Sequence, residues 1–188
     1  MSDHGTLMHR AALASLSVTV FLIALKFVAY IATDSVSMLA SLADSGLDFF
    51  ASMINLVAVR SSLTPPDREH RFGHGKAEPL AGLAQGAFIA GSATFLIIEA
   101  VSRLTQPHVI ERETVGFIVM GIAIAATIGL VGYQRMVVAK TASLAISSDQ
   151  SHYTSDLITN VGVVVSLVLS AQFGWKYADP LIAIAIAL

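Results

Sequence analysis

Asp44 and Asp48 stand four residues apart inside an apolar run from about Val36 to about Val59. Such a run is long enough to cross a bilayer, and an aspartate at that depth costs a few kcal/mol or more unless it faces a partner or a water-filled cavity. On a helix a four-residue step is roughly 6 Å of rise and about 40° of rotation, so both carboxylates point to one side. Like charges so close repel, and a cation between them relieves the repulsion. His152 and Asp156 repeat the four-residue spacing in a second, distant run. Three carboxylates and one imidazole can make a tetrahedral shell for a divalent transition metal.

The ligand types narrow the ion. The sequence has no cysteine, so thiolate sites and disulfides are excluded, and the lack of sulfur ligands argues against Cu(I). Mg²⁺ and Ca²⁺ want six or more oxygens. One imidazole with three carboxylates favours Zn²⁺, Cd²⁺, Fe²⁺ or Co²⁺ over Mn²⁺. Histidine must be deprotonated to bind a metal, so metal and protons compete at such a site. That competition is the physical basis of metal/proton exchange, in which inward proton flow drives metal outward. A buried polar network that merely locks helices together is the plain alternative, although four ionisable groups are expensive for that purpose. A zinc protease signature is absent, as is the glycine-x-glycine-aspartate segment of a membrane aspartyl protease. The expectation is therefore no enzyme.

Asp67, His70 and His74 form a second cluster with Asp-x-x-His-x-x-x-His spacing. It can hold a metal with water completing the shell. Solvated loop histidines in a basic segment fit the same spacing, because Arg68, Arg71 and Lys76 oppose cation binding. Those charges equally suit anionic lipid headgroups.

The elements that must carry these residues follow from composition. The chain is 55% hydrophobic and 13% charged, with mean hydropathy +0.72, against about 25% charged in a soluble domain. It reads as an all-α polytopic membrane protein. A net charge of -2 gives no hint of nucleic acid. No signal-peptide order is present at the N-terminus, and residues 1–8, with His4 and His9 nearby, read as a solvated tail. Spans are expected at about 11–32, 36–60, 80–101, 115–136 and 145–171. Thr33-Asp34-Ser35 is a tight turn between the first two. Pro65-Pro66 ends the second span, and Pro79 suits the first turn of the third. A polar link holding Pro107, His108, Glu111, Arg112 and Glu113 precedes the fourth. Pro180 opens a run over 180–188, shorter than the ~17 residues a span needs. A sixth span is thus expected to be truncated here and to continue beyond Leu188. Lys26, within the first span, can snorkel to a surface, form an ion pair or take part in transport.

Lys and Arg set the orientation. Arg10, Arg60, Arg68, Arg71, Lys76, Arg135 and Lys140 fall on one side, and Arg103, Arg112 and Lys176 on the other. The N-terminus and the 65–78 loop are then cytoplasmic. At ~1.5 Å per residue, Asp44 and Asp48 lie roughly 12 and 18 Å from the outer surface, and His152 and Asp156 roughly 9 and 15 Å from the inner one. In a core of ~30 Å all four share one mid-membrane slab.

Three segments, Ser37 to Asp48, His70 to Leu80 and Ser151 to Asp156, together resemble the cation diffusion facilitator family, most closely its bacterial YiiP-like branch. The resemblance spans essentially the whole chain. It implies a six-helix transmembrane bundle, a homodimer and export of Zn²⁺ or a similar divalent ion against protons. It implies that Asp44, Asp48, His152 and Asp156 form the transport site and that Asp67, His70 and His74 form a loop site. Lys76 matches a lysine of the family's cytoplasmic charge interlock, whose partner would lie beyond Leu188. The family's C-terminal cytoplasmic domain, absent from residues 1–188, is likewise expected beyond Leu188. Small-residue stripes, Gly82-Gly86-Ala90 and Gly121-Ala125-Gly129, allow close helix approach, either within one subunit or, for the first, at the dimer seam. A membrane protein with a structural or sensory metal that does not move is the competing reading.

Overall fold

The computed structural model describes residues 3–33, 36–105, 114–173 and 177–187. Its elements are α1 (Asp3–Thr33), α2 (Val36–Ser62), α3 (Ala77–Thr105), α4 (Thr114–Thr141), α5 (Leu144–Phe173) and α6 (Ala178–Ala187), with no strand among the described residues. Helices suit these runs because each satisfies its backbone hydrogen bonds internally, which lipid requires. Four of them, α1 to α4, contain segments long and apolar enough to cross a membrane. At 30 residues α5 is also long enough, but its first half carries Ser147, Ser148, Asp149, Gln150, Ser151 and His152. Asp34 and Ser35 of the first turn, Pro107, His108, Glu111, Arg112 and Glu113 of the third link, and Lys176 lie outside the described residues, as does the side chain of Arg103.

The start of α1 differs from the expected solvated tail. The helix begins at Asp3 and includes His4 and His9. Asp3 sits in the first turn, where a carboxylate opposes the helix dipole favourably. Met8 is buried, and Leu7 packs beside it. The polar letters of this stretch thus lie on a helix whose apolar members enter the core.

The five long helices alternate in direction, so the starts of α1, α3 and α5 meet the ends of α2 and α4 at one end of the bundle. There Met8, Ala11, Ala12, Ala58, Val59, Ala81, Val137, Ala145 and Ile146 form a single buried apolar cluster. Alanine dominates it, which lets the helices approach closely. Glu78 staples this end. Its Oε2 accepts from Ser143 Oγ at 2.7 Å and from the Ala145 N–H at 3.3 Å, and its Oε1 accepts from Ser62 Oγ at 3.4 Å. The first turn of α3 is thereby tied to the end of α2 and the start of α5. The α4–α5 link is only Ala142 and Ser143, and Ala142 takes a left-handed φ of 50° to make the reversal. At the opposite end Ala29 of α1 packs on Val119 of α4, with Leu25 and Tyr30 against them. The described part of α6 packs on α3 and α5, and Gly162 of α5 leaves room for Ile186.

Candidate metal centre

The packing of α2 against α5 brings His152 Nε2 to 3.2 Å from Asp48 Oδ1 and 3.5 Å from Asp156 Oδ2. One ligand atom from each of these three residues lies within 4.8 Å of the others. Their side chains are 4%, 16% and 29% exposed for His152, Asp48 and Asp156. Asp156 Oδ2 is buried and, among the described residues, has no hydrogen-bond donor, His152 Nε2 standing off at 3.5 Å. An oxygen left so in a low-dielectric site is costly unless a cation or proton meets it. Two carboxylates and an imidazole with an open position are a suitable donor set for a divalent transition metal.

Asp44 is set apart from this trio. It is exposed, one turn along α2 from Asp48, and among the described residues it is not in the three-residue group. Its electrostatic neighbours are Asp48, Lys26 and His152. Lys26 does not run to a helix end, as snorkelling would require. Its Nζ crosses to α2 and donates to Ser45 Oγ at 2.6 Å and to the Ser41 carbonyl at 3.1 Å.

Two hydrogen-bonded clusters fix α5 around the trio, and the spacing argument had not identified their residues. The first centres on Asp149, which is fully buried. Gln85 Nε2 of α3 donates to Asp149 Oδ1 at 3.1 Å, and Gln134 Nε2 of α4 donates to Oδ2 at 2.6 Å. The second centres on Tyr153, whose Oη is 2.6 Å from both Thr19 Oγ1 of α1 and Ser52 Oγ of α2. Ser15 Oγ joins Ser52 Oγ at 3.1 Å. Asn55, also fully buried, lies beside Asp149. Residues 149, 152, 153 and 156 follow the i, i+3, i+4, i+7 pattern of one helix face. That periodicity, with two glutamines inside apolar runs, is the sequence signal that would have found them.

The loop cluster also assembles. Asp67 Oδ1 accepts from the backbone N–H groups of His70 at 2.6 Å and Glu69 at 2.9 Å. These donors, His70 first, hold the Asp67 carboxyl below the usual carboxylate range. His70 Nδ1 is 3.5 Å from Asp67 Oδ1, and His74 Nε2 is 3.6 Å from Asp67 Oδ2. The two imidazole centroids are 4.3 Å apart. Gly73, at a φ of 77°, makes the left-handed turn between them, and its N–H donates to the His70 carbonyl at 2.9 Å. Only glycine takes that conformation without a Cβ penalty. His70 is 55% exposed and Asp67 49%, while His74 is 16%. The group therefore offers ligands within one metal's reach, at a more solvated position than the helix-borne trio. Arg68, Arg71 and Lys76 are all exposed.

Of the small-residue stripes, Gly82 serves packing within the chain. A Cβ there would meet Ser148 Oγ of α5 at 3.0 Å, whereas nothing lies within 4 Å at Gly86, Gly121 or Gly129.

Comparison with known proteins adds a family to this geometry. The sequence pattern of the cation efflux transmembrane domain matches residues 12–188. The chain is 47% identical over 177 residues to the cation-efflux pump FieF of Shewanella oneidensis, covering 94% of this chain and 60% of that protein. It is 46% identical over 186 residues to the pump of the same name from Klebsiella pneumoniae, covering 99% of this chain and 62% of that protein. The same figures hold for the FieF of Cronobacter sakazakii. The chain thus spans about three-fifths of the length of these relatives, which are named as pumps and not as enzymes. With its apolar helices it is an integral membrane protein, and it belongs to the cation diffusion facilitator family, whose cation efflux transmembrane domain it carries.

Proposed function

We propose that this chain is the membrane domain of a divalent-cation exporter that exchanges Zn²⁺, or a similar ion such as Fe²⁺, Cd²⁺ or Co²⁺, for protons by alternating access. The observation that carries the proposal is the convergence of Asp48, His152 and Asp156, from two helices, to within 4.8 Å. Asp44, one turn away, supplies the fourth ligand when it turns toward the ion. The relatives' name, cation-efflux pump, supports the class of cargo and its direction. Protons compete with metal for the same imidazole and carboxylates, which couples the two flows. The exposed Asp67–His70–His74 group captures metal before it enters the membrane. The N-terminus and this loop face the cytoplasm of a bacterial inner membrane, as the positive charges on that side favour. The working unit is a homodimer, with Gly86 and Ala90 of α3 exposed and free to meet a second copy.

The test is Zn²⁺ flux in proteoliposomes under an imposed pH gradient. Metal movement that follows the gradient and stops in Asp48→Ala supports the proposal. Metal that binds but never crosses would make the site a structural or sensory one. A chain that binds no metal would leave the polar residues as a helix-locking network.

A further inference from the structure

Lys26 of α1 reaches across to the helix that carries Asp44 and Asp48. Its ammonium is anchored on α2 by Ser45 Oγ and the Ser41 carbonyl. Ser45 is one residue after Asp44 and three before Asp48, while Ser41 is three before Asp44. One helical turn is about 5.4 Å, so the anchor places the positive charge about one turn from Asp48 along α2 and beside Asp44. Asp44, Asp48 and Asp156 all lie within its electrostatic range. Both anchors are neutral acceptors, and neither cancels its charge. The charge is therefore directed at the carboxylates and at whatever cation they hold.

We infer that Lys26 is the fixed counter-charge of the transport site, a tethered cation that limits how tightly the carboxylates hold a divalent ion. The inference rests on the proposed transport reading and deepens it. Three aspartates with a neutral histidine carry three negative charges, and a divalent ion leaves one uncompensated. The Lys26 ammonium offsets that remainder, so the three aspartates, the ion and Lys26 sum to no net charge when Asp44 joins the shell. In a medium of low dielectric an unbalanced charge would hold the metal far more strongly. A transported ion must leave as readily as it arrives, which is a reason for an exporter to keep a lysine here. Arginine preserves the charge but not the compact ammonium, and methionine preserves the stem without the charge.

The experiment is calorimetric titration of Zn²⁺ and Cd²⁺ into the protein in lipid nanodiscs at fixed pH, with His70→Ala and His74→Ala present throughout to silence the loop cluster. Lys26→Met is expected to bind at least about tenfold more tightly and to turn over metal more slowly in proteoliposomes. Lys26→Arg is expected to stay within about threefold of the parent. Asp44→Asn, which removes a negative charge, is expected to weaken binding, and adding Lys26→Met to it should recover about tenfold. That double variant removes one charge of each sign and keeps the site's net charge at the parent's value, so it carries the comparison if Lys26→Met alone does not fold. Equal or weaker affinity in Lys26→Met, with helical content unchanged, would overturn the inference. So would equal affinities for Asp44→Asn and the double variant. A lysine that only joins α1 to α2 would weaken binding when removed and would not rescue Asp44→Asn. If the parent takes up no metal, the transport reading and this inference fall together. If the parent binds and loses metal in His152→Ala, a failed Lys26 result counts against the inference alone.

Discussion

His152 Nε2 of α5 lies 3.2 Å from Asp48 Oδ1 of α2, across 104 positions of sequence. The contact joins the two helices that carry every ionisable group of the candidate metal centre apart from Lys26. The packing of α2 against α5 sets this distance, so the two side chains face one another across the helix interface.

Asp48→Ala removes one of the three converging side chains and leaves the hydrogen bonds around Asp149 and Tyr153 in place. Outer-shell changes alone cost about 10–100-fold in metal affinity, and loss of a ligand costs no less. Flux should fall to background while thermal stability stays close to wild type. Wild-type flux in this variant, measured in proteoliposomes, would remove Asp48 from the site.

Asp149→Ala should act mainly on stability. It leaves the Gln134 amide without its acceptor and takes one of two acceptors from the Gln85 amide, which keeps the Ala51 carbonyl; a buried unsatisfied group costs about 1–3 kcal/mol. The melting temperature in detergent should drop, and metal affinity should fall with it because α5 loses its mid-helix ties to Gln85 and Gln134. An unchanged melting temperature would show that the clamp does not hold α5 in place.

The loop cluster gives a separable pH signature. The folded turn holds the Asp67 carboxyl below its usual range. Its contribution to the turn is therefore complete above the ordinary carboxylate value of ~3.9 and is lost only as pH falls through the lower folded one. Imidazoles must be deprotonated to bind metal. Metal capture by the loop should fade on acidification while the turn itself remains formed, because protons compete with metal for the same ligand atoms. Isothermal titration at several pH values, with circular dichroism alongside, tests this. His70→Ala with His74→Ala should slow transport several-fold without abolishing it. A dead transporter with normal folding would reverse the ranking of the two sites.

His152→Asp should shift preference toward Mn²⁺. The substitution removes the site's nitrogen ligand, and oxygen-only shells suit harder ions. The Mn²⁺/Zn²⁺ ratio of transport rates at fixed pH should rise at least severalfold. An unchanged ratio with measurable flux would mean that His152 does not set the preference.

Much of this arrangement is legible in the sequence because carboxylates in apolar runs are rare and their four-residue spacing fixes a helix face. Asp48, His152 and Asp156 could be placed at one depth by counting residues from the loops. Pairings between helices are another matter. Nothing in the spacing of Gln85, Gln134 and Asp149 states that two amides from separate helices will meet one carboxylate. The same holds for Tyr153 with Thr19 and Ser52. The separation of Asp44 from the trio was also hidden, since a four-residue step puts two side chains on one side without saying which of them turns inward. The early start of α1 escaped because Leu7 and Met8 are too few apolar letters to outweigh the polar ones around them. Their burial comes from contact with the ends of other helices.

The central claim is that the transported ion sits on Asp48, His152 and Asp156. Zinc K-edge absorption on protein carrying His70→Ala and His74→Ala, loaded with one equivalent of Zn²⁺, tests it most directly. The account predicts a first shell of oxygen and nitrogen at about 2.0–2.2 Å, with outer-shell scattering from one imidazole that disappears when His152→Ala is added. A spectrum without imidazole scattering, or one that His152→Ala leaves unchanged, would contradict it.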